Sequence, residues 1–111
     1  MKARKYEHET SKGVDLGTKV WIWCPGCDAF HALIIRSTPA LDALVSSGKA
    51  PIWGWNGNLE SPTFTPSYLV QSEAGICHSY ITDGHIQFLS DCTHHLTGQT
   101  VELPDLKDNE P

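Results

Sequence analysis

Apolar and polar residues alternate on both sides of Asp83-Gly84. This is the pattern of two half-buried strands joined by a tight type I′ turn, in which both central residues take positive φ. Pairing Thr82 with His85 sets the register, with Ile81 opposite Ile86, Ser79 opposite Phe88 and Cys77 opposite Ser90. Side chains alternate along a strand. Cys77, Ile81, Ile86, Phe88 and Cys92 are therefore expected on one face, and His78, Tyr80, Gln87, Leu89 and Asp91 on the other.

The same alternation predicts a strand over residues 18–23, with Val20 and Ile22 on one side and Trp21 and Trp23 on the other. It leads into Cys24-Pro-Gly-Cys27, and residues 30–36 read as the return strand. One helix is predicted after them, with Thr38 as N-cap, Pro39 at the first helical position, a stripe of Leu41, Leu44 and Val45, and Gly48 as the stop. Further strands are expected at residues 53–57, 68–71 and 98–103. Residues 62–67 should run extended, because each residue before a proline is pushed out of the helical region. The fold class is mainly β, a small single-domain antiparallel sheet with a zinc-ribbon-like metal site and one short helix.

At 111 residues with a net charge of −5, the chain has the length of one domain and the size at which a bound metal adds useful stability. Residues 1–17 read as a flexible lead-in, 18–104 as a metal-stabilised β domain and 105–111 as an acidic tail. The charge does not indicate nucleic-acid binding. No apolar run approaches the roughly 20 residues of a membrane span, and no signal peptide is evident. These features predict a cytoplasmic, non-secreted protein, where thiols stay reduced and cysteine clusters bind metal.

Two thiolates separated by two residues can grip one Zn²⁺ from a tight turn. The expected ligands are therefore Cys24 and Cys27, completed by Cys77 and Cys92 from the hairpin face. His31, His78 and His94 are alternative or second-site ligands. A site built on those histidines, with Asp91 as orienting group or general base, would support metal-dependent hydrolysis, which makes His78, Asp91 and His94 the catalytic candidates. Reversible oxidation of Cys24 and Cys27 would instead make a thiol redox protein. The Trp21/Trp23 and Trp53/Trp55 pairs read as core cover, and Thr63 and Ser67 as loop chemistry. There is no Gly-x-Ser-x-Gly nucleophile elbow.

Cys24-Pro-Gly-Cys27 with His31, Trp55-Asn-Gly57, Pro62-Thr-Phe-Thr-Pro-Ser67 and the run from Cys77 through His94 to Pro104 together resemble a family of small phage and prophage proteins. Proteins of that family often carry the label "ammonia monooxygenase". Soft thiolates in a reduced compartment and the lack of a membrane span oppose that chemistry. The resemblance implies a phage or prophage origin and a histidine at His94 in the Asp-Cys-Thr-His motif. The expected function is a zinc-binding interaction module for a host or phage protein, with hydrolase, nuclease or redox activity as alternatives.

Overall fold

The computed structural model describes residues 1–107. It contains two antiparallel sheets and one short helix. The first sheet has three strands in the order β1 (Ala3–Glu9), β2 (Asp15–Cys24) and β3 (Ala29–Arg36). The second has five, β4 (Gly54–Trp55), β5 (Phe64–Ser72), β6 (Gly75–Thr82), β7 (His85–Phe88) and β8 (Thr100–Glu102), in sequence order. The mainly β expectation holds, distributed over two sheets.

The hairpin register is the one read from the sequence. Thr82 pairs with His85, Ile81 with Ile86 and Ser79 with Phe88. Asp83 and Gly84 take φ of 49° and 77°. The inward set is buried, with Ile86 fully covered and Ile81 and Phe88 at 1% exposure. Val20, Ile22 and Leu33 of the first sheet meet them in one core, each burial contributing roughly 1.5–3 kcal/mol. On the opposite face of the first sheet, Tyr6, Trp21, Phe30 and Trp23 form a run of edge-to-face ring contacts.

Three features depart from the pattern-based reading. Residues 1–17, expected to be irregular, contain β1, because Ala3 is buried in the core and its strand completes the edge of β2. The helix α1 (Pro39–Asp42) is a single turn. Thr38 caps it as expected, but Asp42 turns its carboxylate to the Ala50 N–H and the Ser37 hydroxyl, and Leu44 is 72% exposed. Leu41 is buried, but with Leu44 left in solvent the stripe has too little to hold a helix beyond that turn. The acidic tail is described only to Lys107, where Leu106 is buried and donates its N–H to the Met1 carbonyl. Residues 108–111 lie outside the described residues.

The turn after β7 is tied back to β6. Thr93 donates its N–H to the Ile76 carbonyl, and its hydroxyl accepts from the Ile76 N–H, each at 2.9 Å. Gly75 makes this approach possible. Its φ is +130°, and a Cβ there would lie 2.0 Å from the Thr93 hydroxyl oxygen. Gly75→Ala should therefore lower stability by about 2–3 kcal/mol through backbone strain and displacement of Thr93. A thermal melt should show this as a clear drop in Tm, and an unchanged Tm would refute the tie.

Candidate active site and metal centre

The outward face of β6 carries His78, and both of its ring nitrogens are engaged. Nε2 lies 3.0 Å from the Ser67 hydroxyl, and Nδ1 lies 3.0 Å from Oδ2 of Asp91. An ionised carboxylate only accepts hydrogen bonds, so Nδ1 carries the proton and Nε2 is left as the acceptor for the Ser67 O–H. A hydroxyl, an imidazole and a carboxylate in this relay are the parts of a nucleophile, its base and the group that orients the base. The imidazole is 24% exposed and Asp91 52% exposed, so the relay faces solvent.

Each member is placed by a different element. Leu69 pairs with His78 across β5 and β6, which makes Ser67, two residues earlier, a diagonal neighbour within side-chain reach. The register of β5 slips between Phe64 and Tyr68, so the backbone at Ser67 leaves the regular ladder. The Trp53 indole N–H donates to the Ser67 carbonyl at 3.2 Å and fixes it there. Asp91 sits on the turn strapped to β6 by Thr93. Cys92 adds a second strap at His78 itself. Its Sγ accepts from the His78 N–H at 3.2 Å and donates to the His78 carbonyl at 3.1 Å.

Behind this face, on the inner side of the sheets, lies a sulfur-rich cluster. Ligand atoms of Cys24, Cys27, His31 and Cys77 all lie within 4.8 Å of one another, an arrangement that could hold a metal ion. Cys24 ends β2, Cys27 closes the turn, His31 comes from β3 and Cys77 from β6, so the group bridges the two sheets. The Cys24 and Cys77 sulfurs are 3.9 Å apart. That is too long for a disulfide and close to the roughly 3.8 Å edge of a tetrahedron with 2.3 Å metal–sulfur bonds. Nε2 of His31 is buried without a hydrogen-bond partner.

The thiols share charge unequally. The hydrogen bond from Cys77 chiefly pulls the Cys24 thiol down to about 4, against its burial, with help from His31 and the Cys27 N–H. Cys77 is pushed up by that same hydrogen bond and by burial, and Cys27 by burial and the Cys24 charge. Three thiols and an imidazole crowded together, all but Cys27 buried, form a donor set suited to a cation.

The expected four-thiolate set is not the group that the fold gathers. β7 ends at Phe88, and Cys92 donates its N–H to Leu89 in a turn, so Cys92 closes on the His78 backbone. It forms a separate group with Cys77 and His94, and His31 takes its place beside Cys24 and Cys27. His78, considered as an alternative ligand, is held by Ser67 and Asp91. His94 stacks edge-on against Phe88 at 4.5 Å and accepts the Leu96 N–H at Nδ1. Its Nε2 is buried without a hydrogen-bond partner, its ring lies beside the Cys77 and Cys92 sulfurs, and it takes no part in the relay. Of the catalytic candidates, the structure joins His78 and Asp91. Ser67 was missed, although carrying the register through the Ser72–Gly75 turn would have set it diagonal to His78.

A hydroxyl, an imidazole and a carboxylate linked in this order on a small β scaffold have the arrangement of a serine-hydrolase site. The family model described as "Bacterial ubiquitination-like system serine protease (BubE)" matches residues 2–89, a span that includes Ser67 and His78. The chain belongs to that family. No curated protein and no solved structure matches it. The family overturns the expected phage or prophage zinc-binding module, together with the metal-hydrolase, nuclease and redox alternatives. It gives no support to a phage family or to the monooxygenase label. Among the described residues no helix is long and apolar enough to cross a membrane.

Proposed function

We propose that this chain is a serine peptidase of a ubiquitin-like modification system, with Ser67 as nucleophile, His78 as general base and Asp91 as the group that orients it. The observation that carries this is the His78 ring bridging Ser67 and Asp91 at 3.0 Å on each side. Oγ of Ser67 attacks the carbonyl carbon of the scissile bond as its proton passes to Nε2 of His78. The tetrahedral intermediate collapses when that proton is given to the leaving nitrogen, which departs as an amine and leaves an ester on Ser67. Water then attacks the ester with Nε2 again as base, releasing a carboxylic acid and restoring the hydroxyl. Asp91 holds Nδ1–H and stabilises the transient imidazolium.

The name of the family points to a ubiquitin-like protein as substrate, cut at the bond that closes its tail. The test is incubation with the ubiquitin-like protein of the same system carrying a reporter domain after its tail. Intact-mass analysis should find one cut at the tail, lost in the Ser67→Ala protein. An uncut substrate, or a cut that survives Ser67→Ala, would refute the reading.

Zinc is the proposed occupant of the Cys24, Cys27, His31 and Cys77 group. Three soft thiolates and one imidazole are a donor set that fits zinc, and the partnerless Nε2 of His31 would be the fourth ligand. Four protein ligands leave no position for water, so the ion's contribution there is structural. It would fix Cys77 to the first sheet and so hold the neighbouring His78 in register.

Cys92 is a positioning residue in this account. Cys92→Ala leaves the His78 N–H without its partner and should lower kcat about tenfold, the equivalent of 1.4 kcal/mol, with little change in KM. Cys92→Ser keeps a donor and acceptor and should restore most of the rate. Equal rates for the alanine and wild-type proteins would remove Cys92 from the account.

A further inference from the structure

The structure assigns a binding edge to the substrate: we propose that an extended peptide segment adds as a strand along β5 at Leu69 and Gln71 and is thereby laid across Ser67. This rests on the peptidase reading above. β4 pairs only with Phe64 and Thr65 of β5. From Ser67 to Ser72, β5 has a strand partner, β6, on one side only among the described residues.

The direction of the free backbone groups follows from the register. Ser72 and Gly75 flank a two-residue turn and pair with each other, as do Val70 with Cys77 and Tyr68 with Ser79. Residues that exchange hydrogen bonds alternate along an antiparallel pair. Ser72, Val70 and Tyr68 therefore point their N–H and C=O groups at β6, and Leu69 and Gln71 point theirs at the open edge. Ser67 follows the same parity, and its carbonyl does face away from β6, to the Trp53 indole. The Trp53 indole thus occupies the edge at Ser67, and it stands open at the next two outward positions.

An open edge is a hazard that proteins blunt with lysine, proline, a bulge or an inward charge. The irregularity of β5 and Pro66 lie before Tyr68, and the run Tyr68-Leu-Val-Gln-Ser72 that follows has neither charge, proline nor glycine. Such an edge is suited to strand addition, in which main-chain hydrogen bonds give affinity and alternate side chains give selectivity. The face that carries the relay also carries Leu69 at 48% exposure and Tyr80 at 46%, apolar contacts for the side chains of an added strand. The occupant is an unfolded, extended segment such as a protein tail. Such a segment has its main-chain groups free to pair at two successive outward residues while its scissile bond reaches Ser67.

Gln71→Pro tests the assignment, because it removes an outward N–H that β6 does not use, and proline is tolerated on such an edge. Two probes are read side by side, p-nitrophenyl acetate and a random internally quenched decapeptide library. The variant should keep its melting temperature and hydrolyse the ester within twofold of wild type, with peptide hydrolysis reduced at least tenfold. Independently of the variant, decapeptides with N-methylated backbone amides should resist the wild-type enzyme when their unmodified parents are cut. Equal cleavage of methylated and parent peptides, or ester turnover without cleavage of any peptide, would overturn the edge and leave the peptidase standing. A dimer that Gln71→Pro dissociates would also overturn it, giving the edge to a second copy. Ester turnover no faster than that of Ser67→Ala would sink the peptidase reading itself.

Discussion

Replacing Ser67 with alanine is expected to reduce peptide hydrolysis by about 10⁴- to 10⁶-fold without lowering the melting temperature. Ser67 is half-buried, and its hydroxyl bonds to the His78 ring. Its removal therefore leaves the core, the sheets and the sulfur cluster untouched. What disappears is the atom that forms the ester. Asp91→Asn should follow with a loss on the order of 10⁴-fold, because an amide can offer Nδ1 a donor and favour the wrong tautomer of His78. Both variants share a readout that a structural role would not move: folding is kept and the chemical step is lost. A fall in stability that parallels the fall in rate would instead assign Ser67 and Asp91 to the architecture.

The second large effect is on folding. Cys24→Ser is expected to take the metal content from one ion per chain to none and to abolish the cooperative melt, or to lower Tm by tens of degrees. Structural zinc in small domains binds with about 10–16 kcal/mol, which equals or exceeds the roughly 5–15 kcal/mol by which most domains are stable. Cys24 is fully buried, and its sulfur lies 3.9 Å from Cys77 on the opposite sheet. A serine there would bury a hydroxyl where a thiolate ligand is needed, and the link between sheets would open. Hydrolysis should fall with it, because Cys77 precedes His78. Elemental analysis and a thermal scan check this together, and unchanged metal content and melting would remove the metal from the account.

The sequence was most legible where one short-range rule decides the structure. Asp83-Gly84 fixes a two-residue turn, the turn fixes the register, and the register separates Cys77 and Ile81 from His78 and Tyr80. Cys24-Pro-Gly-Cys27 was readable for the same reason. The mistakes arose where long-range packing decides. Cys92 shares the parity of Cys77, but the strand stops at Phe88 and the chain turns, so parity no longer assigns its partner. His31, expected as an alternative ligand, joins the thiols in place of Cys92 because the fold brings β3 beside Cys77 of β6. β1 shows little alternation, since only Ala3 of its seven residues is buried. Ser67 had no elbow motif to mark it, and its place diagonal to His78 follows only once β5 is paired with β6 through the Ser72–Gly75 turn.

The central claim is that Ser67 is a nucleophile activated by His78, and the most direct test is intact-mass spectrometry of the protein after treatment with a fluorophosphonate. Attack by the serine oxygen on phosphorus expels fluoride and leaves a stable phosphonyl ester. One adduct per chain, mapped to Ser67 and absent from the Ser67→Ala and His78→Ala proteins, is the predicted result. An unmodified wild-type chain, or an adduct on another residue, would contradict the account.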